Sequence, residues 1–285
     1  MDNVKCVSVG RGYSAVIKND GTVWQWGEDN AHRFPGASKW KKNTTLPVKV
    51  EGIADAVGIS SDGFSTLVLN SSGNIYSWGG NTGGQLGRGM ISLYEQVGVI
   101  DSGTKFRFIN AGGGSSFAID DHGKLWVWGS NVSKKLGIDD EEKRIPRPIE
   151  NKHLDDVVKI SSIHTHVTAL TADGKVKTWG FNIKGWLGTE NSDAQSLLPT
   201  AIDFDGRALD ISNRSLLTAD GDIWRWGNRY FKAGDVKWNW FWFSRKPSRY
   251  YTNTSVDDCI LVTHTSIFVM FISPTIKGNN SNALS

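Results

Sequence analysis

Short runs in which apolar and polar residues alternate, separated by turn residues, fill this chain almost from end to end. Near its start, Val4 to Val9 is an apolar run, Tyr13 to Lys18 alternates, Asn19-Asp20-Gly21 turns, and Thr22 to Trp26 returns. Alternation sends successive side chains to opposite faces of a strand, and Asp-Gly between two such runs signals a hairpin, because glycine takes positive φ without a steric penalty. The same arrangement recurs around Ser72-Gly73, His122-Gly123, Asp173-Gly174 and Asp220-Gly221. Five residues after each turn glycine stands a Trp-Gly pair: Trp26-Gly27, Trp78-Gly79, Trp128-Gly129, Trp179-Gly180 and Trp226-Gly227. The copies lie 47 to 52 residues apart, a period that marks a propeller, a solenoid or an array of supersecondary units.

The glycine after each tryptophan lets a large ring pack where backbone from a neighbouring unit comes close, so the five tryptophans are expected to be buried core staples at equivalent places. Leu-Gly follows three of them by eight residues, at Leu86-Gly87, Leu136-Gly137 and Leu187-Gly188. Pro47, Pro148, Pro199 and Pro247 fall about twenty residues past a tryptophan, where an outer edge strand is expected to start. Three inner strands and one outer strand make a four-stranded blade, and several blades make an all-β propeller.

At this point the chain resembles a known family. The run from Gly73 to Gly87, GNIYSWGGNTGGQLG, with Ala111-Gly112, the stretch Val167 to Gly180, and His166 in the usual histidine place, is similar to the repeat of the regulator of chromosome condensation family. The resemblance covers residues 4 to 272. That family builds seven blades, whereas five full repeats and a remnant from Val256 to Ile272 are visible here, and the fifth lacks the usual glycine and histidine loop between Leu209 and Leu217. The expected architecture is therefore one β-propeller domain over residues 1–273, of about six units with an incomplete closing blade, or an open ring. Residues 274–285 read as a polar, disordered tail. Closure would bring Cys259 of the remnant near Cys6.

The composition narrows the class of function. Charged residues are 21% of the 285 and the net charge is +3, so no global field points to nucleic acid. A single pair of cysteines gives no disulfide framework, Met1 to Gly10 lack the apolar core of a signal peptide, and no apolar run approaches a membrane span. These features predict a cytosolic monomer without a transmembrane segment. No cofactor is expected. His164-Thr165-His166 has the spacing of two ligands on one strand face, but His166 fits the structural histidine place and the reading is no metal. Gly112-Gly113-Gly114 opens no helix, so it is not a phosphate cradle.

Loops joining the first and second strands of each blade emerge on one face of a propeller, and here they carry Arg11, Asp62, His164, Arg214 and His264. The resemblance implies that such a face receives the small GTPase Ran and promotes nucleotide exchange, or holds the active form. Asp62 is the loop carboxylate of that kind, and no segment matches the family's projecting wedge, so a protein-interaction scaffold without exchange activity is the alternative. A second candidate contact is the aromatic segment around Trp238, Trp240 and Trp242 with Arg245, whose composition is that of an interface hot spot or of packing that seals the ring. Asp139 to Glu142 reads as a solvated acidic loop able to steer a basic partner. The missing blades and the absence of a basic tail resemble reduced versions that intracellular bacterial pathogens deliver into host-cell cytoplasm.

Overall fold

The computed structural model describes residues 1–10, 12–28, 43–190, 193–228, 243–250, 261–262 and 270–271. They form five four-stranded antiparallel sheets, each a meander in chain order. The first holds β1 (Val4–Gly10), β2 (Tyr13–Lys18), β3 (Val23–Glu28) and β4 (Asn43–Val50). The second holds β5 (Ala56–Ser61), β6 (Ser65–Asn70), β7 (Ile75–Asn81) and β8 (Ser92–Val99), and the third β9 (Phe106–Gly112), β10 (Ser115–Asp120), β11 (Leu125–Ser130) and β12 (Arg144–Glu150). The fourth comprises β13 (Val157–Ser162), β14 (His166–Thr171), β15 (Val176–Phe181) and β16 (Gln195–Ala201). The fifth comprises β17 (Ala208–Ser212), β18 (Ser215–Thr218), β19 (Ile223–Asn228) and β20 (Phe243–Tyr250). A sixth, two-stranded sheet pairs β21 (Leu261–Val262) with β22 (Met270–Phe271), and β21 lies beside β17. The innermost strands β1, β5, β9, β13 and β17 are neighbours in that order, as in a propeller.

Among the described residues the core is four separate clusters, one between each successive pair of the five full units. Ile17 and Val23 of the first unit meet Val68 and Trp78 of the second. Leu67, Leu69 and Ile75 meet Ile109, Ala111 and Trp128 of the third, and Phe117, Ile119 and Leu125 meet Ile160, Val167 and Trp179 of the fourth. Leu170 and Val176 meet Ile211, Leu216 and Trp226 of the fifth. Each tryptophan thus packs backward onto the preceding unit. Its indole N–H finds an acceptor there, as a buried indole needs: Trp78 on Gln25 Oε1 at 3.2 Å, Trp128 on the Gln85 carbonyl at 2.8 Å, Trp179 on the Lys135 carbonyl at 2.7 Å, and Trp226 on the Trp186 carbonyl at 3.0 Å.

Trp26 departs from the expectation of five equally buried rings, being only half-buried, because no preceding unit covers it among the described residues. Val7 tells the same story. Its counterparts Ile109, Ile160 and Ile211 are buried against the preceding sheet, while Val7 is 58% exposed. Cys6 turns its thiol toward Val57 of the second unit, and Cys259 lies outside the described residues.

The prolines also sit elsewhere than expected. Pro47, Pro148 and Pro199 are each the fifth residue of the outer strand, not its start. Pairing steps from Gln25↔Val48 to Gly27↔Thr44, leaving Thr45 to Pro47 in a bulge opposite Trp26, and the same step recurs at Val127/Gly129 and Thr178/Gly180. A bulge on an edge strand asks nothing of the missing proline N–H. The short fifth repeat still closes its hairpin, with Asn213 at φ 48° doing the work of glycine.

Candidate functional site

Connections from first to second strand and from third to fourth strand emerge on one face of the fold. The loops there are stitched to one another by a device that repeats every 50 to 52 residues. A polar side chain near the end of each of the first four innermost strands accepts a backbone N–H from the next unit: Ser8 from Ser61 at 2.9 Å, Ser60 from Ala111 at 2.9 Å, Asn110 from Ser162 at 3.2 Å, and Ser161 from Asn213 at 2.8 Å. Polar residues inside an otherwise apolar strand were the sequence signal for it. Bonds of this kind fix neighbouring loops in register, so the face is held rigidly.

Asp62 is part of this stitching, not a surface carboxylate. It is 2% exposed. Its Oδ1 accepts from the backbone N–H groups of Phe64 and Ser65, both at 2.8 Å, and its Oδ2 accepts from Gly114 of the third unit at 2.9 Å. A buried carboxylate with both oxygens engaged inside the protein clamps two units together and is not presented to a partner.

His166 and His164 face different neighbours, which removes the chelating geometry their spacing suggested. His166 is buried, and its Nε2 lies 3.0 Å from Asn213 Oδ1 while Nδ1 lies 3.2 Å from Thr165 Oγ1. Because Asn213 Oδ1 only accepts, the network assigns the proton to Nε2. Burial, with Arg214 and Lys135 nearby, pulls the imidazole down to about 3, so it is neutral at ordinary pH. His164 is exposed and meets the ring of Phe64 edge-on, centroids 6.2 Å apart. These two side chains belong to the fourth and second units and meet over the side-chain-free Gly112-Gly113-Gly114 loop of the third. Phe64 itself is 37% exposed, on a backbone pinned by Asp62 and by the N–H of Gly80, which it accepts at 2.8 Å.

Arg214 is half-buried, with its guanidinium carbon 5.8 Å from the Trp186 ring centroid. Arg11, His264, Trp238, Trp240 and Trp242 lie outside the described residues, and Arg245 falls in β20, the outer strand of the fifth unit. Phe64, Trp186 and Lys135 were not singled out by the sequence. Trp186 and Lys135 share the position of Gln85, one residue before each Leu-Gly, and that common offset was the available clue. Among the described residues no three His, Cys, Asp or Glu side chains converge as a metal site. What the arrangement offers is a stiff, cross-braced surface with an aromatic pair exposed on it.

The Regulator of chromosome condensation (RCC1) repeat matches residues 122–170. The E3 ubiquitin-protein ligase HERC2 of Mus musculus is 30% identical over 183 residues, which is 62% of this chain and 4% of that protein. The crystal structure of human WBSCR16 superposes with a TM-score of 0.75 at 19% identity, covering 87% of this chain and 68% of the other. That of Prp20p from Saccharomyces cerevisiae gives 0.72 at 20% identity, covering 90% and 64%. The chain therefore spans a small part of HERC2 and about two thirds of each solved propeller, whose likeness establishes the fold. With the recurrent Trp-Gly blades and their inter-unit tryptophan bonds, these matches make the chain a member of the RCC1-repeat family.

Proposed function

We propose that this propeller is a protein-docking module whose loop face receives a small GTPase of the Ran type and promotes release of its nucleotide. The observation that carries the reading is the exposed Phe64–His164 pair, held on backbone that Asp62 and the inter-unit bonds keep rigid. A rigid scaffold presenting exposed loop side chains is how binding surfaces are built, and preorganised aromatic groups lose little entropy on contact. The likeness to Prp20p, whose structure is described with its binding to Gsp1p and histones, supports a GTPase as the partner class. Exchange needs only that the propeller bind the nucleotide-free conformation better than the loaded one.

The second reading, a scaffold without exchange activity, is favoured by the burial of Asp62, which takes away the loop carboxylate expected to act on a GTPase. Release of labelled nucleotide from Ran, Rab, Rap and Rho proteins decides between them. The exchange reading expects acceleration by wild type and its loss in Phe64→Ala and His164→Ala. Wild type that neither binds nor accelerates any of the four leaves the scaffold. Loss confined to alanine variants of Trp238, Trp240, Trp242 and Arg245 moves the contact to the aromatic segment.

A further inference from the structure

Lys135 is a lysine in a place that holds glutamine one unit earlier and tryptophan one unit later. It is 2% exposed. Its Nζ donates to the carbonyl of Gly112, its own backbone carbonyl takes the indole N–H of Trp179 at 2.7 Å, and Leu136 beside it is fully buried. Gly112 begins the glycine loop whose other end, Gly114, is held by Asp62. Lys135 thus joins the loop face of the third unit to the tryptophan seal of the fourth. Lys134, by contrast, reaches outward to Glu141.

We propose that Lys135 makes this junction proton-sensitive: with its amine neutral the Asn131–Gly137 loop stays seated, so that the Lys135 carbonyl holds Trp179 of the fourth unit and the amine steadies the Gly112–Gly114 loop, and uptake of a proton loosens both. A buried ammonium with a single carbonyl acceptor lacks most of the hydrogen bonds that water gives it, so the charged form favours openings in which the Asn131–Gly137 loop lifts and the amine reaches solvent. The groups facing it are few. Asp62 comes from the β5–β6 loop and favours the charge; His166, at the start of β14, stays neutral; Arg214, from the β17–β18 loop, lies beyond His166 and keeps a fixed charge. Burial outweighs Asp62 and pulls the amine down to about 7, so the change of state falls in the neutral range.

The sign follows from linkage. The folded state prefers the neutral amine, whereas the unfolded chain holds its proton up to the ordinary lysine value of about 10.5. The penalty is absent above that value, grows as pH falls toward about 7, and is constant below. Unfolding of wild type, Lys135→Gln and Lys135→Arg by urea across pH 6 to 10 tests it. Glutamine and arginine do not titrate in this window. The unfolding equilibrium constant of wild type, taken relative to Lys135→Gln, should fall by up to about tenfold per pH unit as pH rises from 7 toward 10, and change by no more than about twofold from 6 to 7. Relative to Lys135→Arg the same trend should appear, and hydrogen exchange at the Gly114 amide and Trp179 indole, normalised to intrinsic rates, should slow with it. A wild-type curve that runs parallel to Lys135→Gln throughout overturns the proposal and leaves Lys135 a plain packing residue. Should Lys135→Arg fail to fold, the glutamine comparison still decides.

Discussion

The indole of Trp179 donates its N–H to the backbone carbonyl of Lys135, 2.7 Å away across the boundary between the third and fourth units. The acceptor is backbone, so the same bond forms although the side chain at that position is Gln85, Lys135 or Trp186. The ring sits in a cluster shared between the preceding unit, through Leu125 and Leu136, and its own, through Val167 and Ala169. Trp179→Ala and Trp128→Ala should each cost about 3–5 kcal/mol of stability, since each empties a site with no exposed surface. Trp26→Ala, at a half-buried site, should cost distinctly less. Chemical denaturation of the three variants checks the order; equal losses would contradict the inter-unit role.

Gly113 is a close-approach position, and Gly52 is not. Both have positive φ, 60° and 83°, but a Cβ at Gly113 would run into the backbone of His164, while one at Gly52 meets nothing within 4 Å. Gly52→Ala should therefore cost only the left-handed strain, about 1 kcal/mol. Gly113→Ala adds a backbone clash at the loop face and should cost at least twice as much, with displacement of the His164 loop visible as altered amide shifts. Equal costs would mean that the third and fourth loops are not in contact.

Asp62 and His164 should separate stability from binding. Asp62→Ala leaves the N–H groups of Phe64, Ser65 and Gly114 without their acceptor, and should cost about 3 kcal/mol or more. His164→Ala removes an exposed ring that no hydrogen bond in the core depends on, and should change the melting temperature little while weakening retention of nucleotide-free Ran. The check is to measure both quantities on both variants. A stable Asp62→Ala protein that loses only binding would return Asp62 to the partner contact.

The repeat itself was plain in the sequence because turn glycine, tryptophan and following glycine each answer a backbone demand that every unit makes alike. Gly21, Gly73, Gly123 and Gly174 show why: each takes positive φ and passes its carbonyl to the first innermost-strand residue of the next unit, Ala56, Phe106, Val157 and Ala208. What the sequence hid was direction. Asp62 looks like any loop carboxylate until Gly114 is seen 2.9 Å away, 52 residues along the chain. His164 and His166 share a spacing that fits a strand, yet His164 lies in the loop before β14 begins, so alternation does not govern the pair. In the sequence the prolines suit strand starts, because an edge position and a bulge both excuse a missing N–H, and only the register tells them apart.

His166 should make the protein lose stability in mild acid faster than its carboxylates alone require. Its imidazole is buried, hydrogen-bonded through Nε2 to Asn213, and pulled down to about 3 by burial and by the charges of Arg214 and Lys135. In the unfolded chain the same group takes a proton near its ordinary value of about 6.5. The folded state therefore refuses a proton that the unfolded state accepts. Stability is unaffected above about pH 6.5 and falls by up to about 1.4 kcal/mol per pH unit between there and about 3. His166→Gln keeps an N–H donor for Asn213 and has no such titration, while every carboxylate remains to titrate in both proteins. Urea midpoints at pH 7, 6, 5 and 4 should diverge, with wild type declining more steeply than the variant. Parallel declines would show that His166 opens to solvent before it is protonated, and that the Thr165–His166–Asn213 chain is looser than its distances imply.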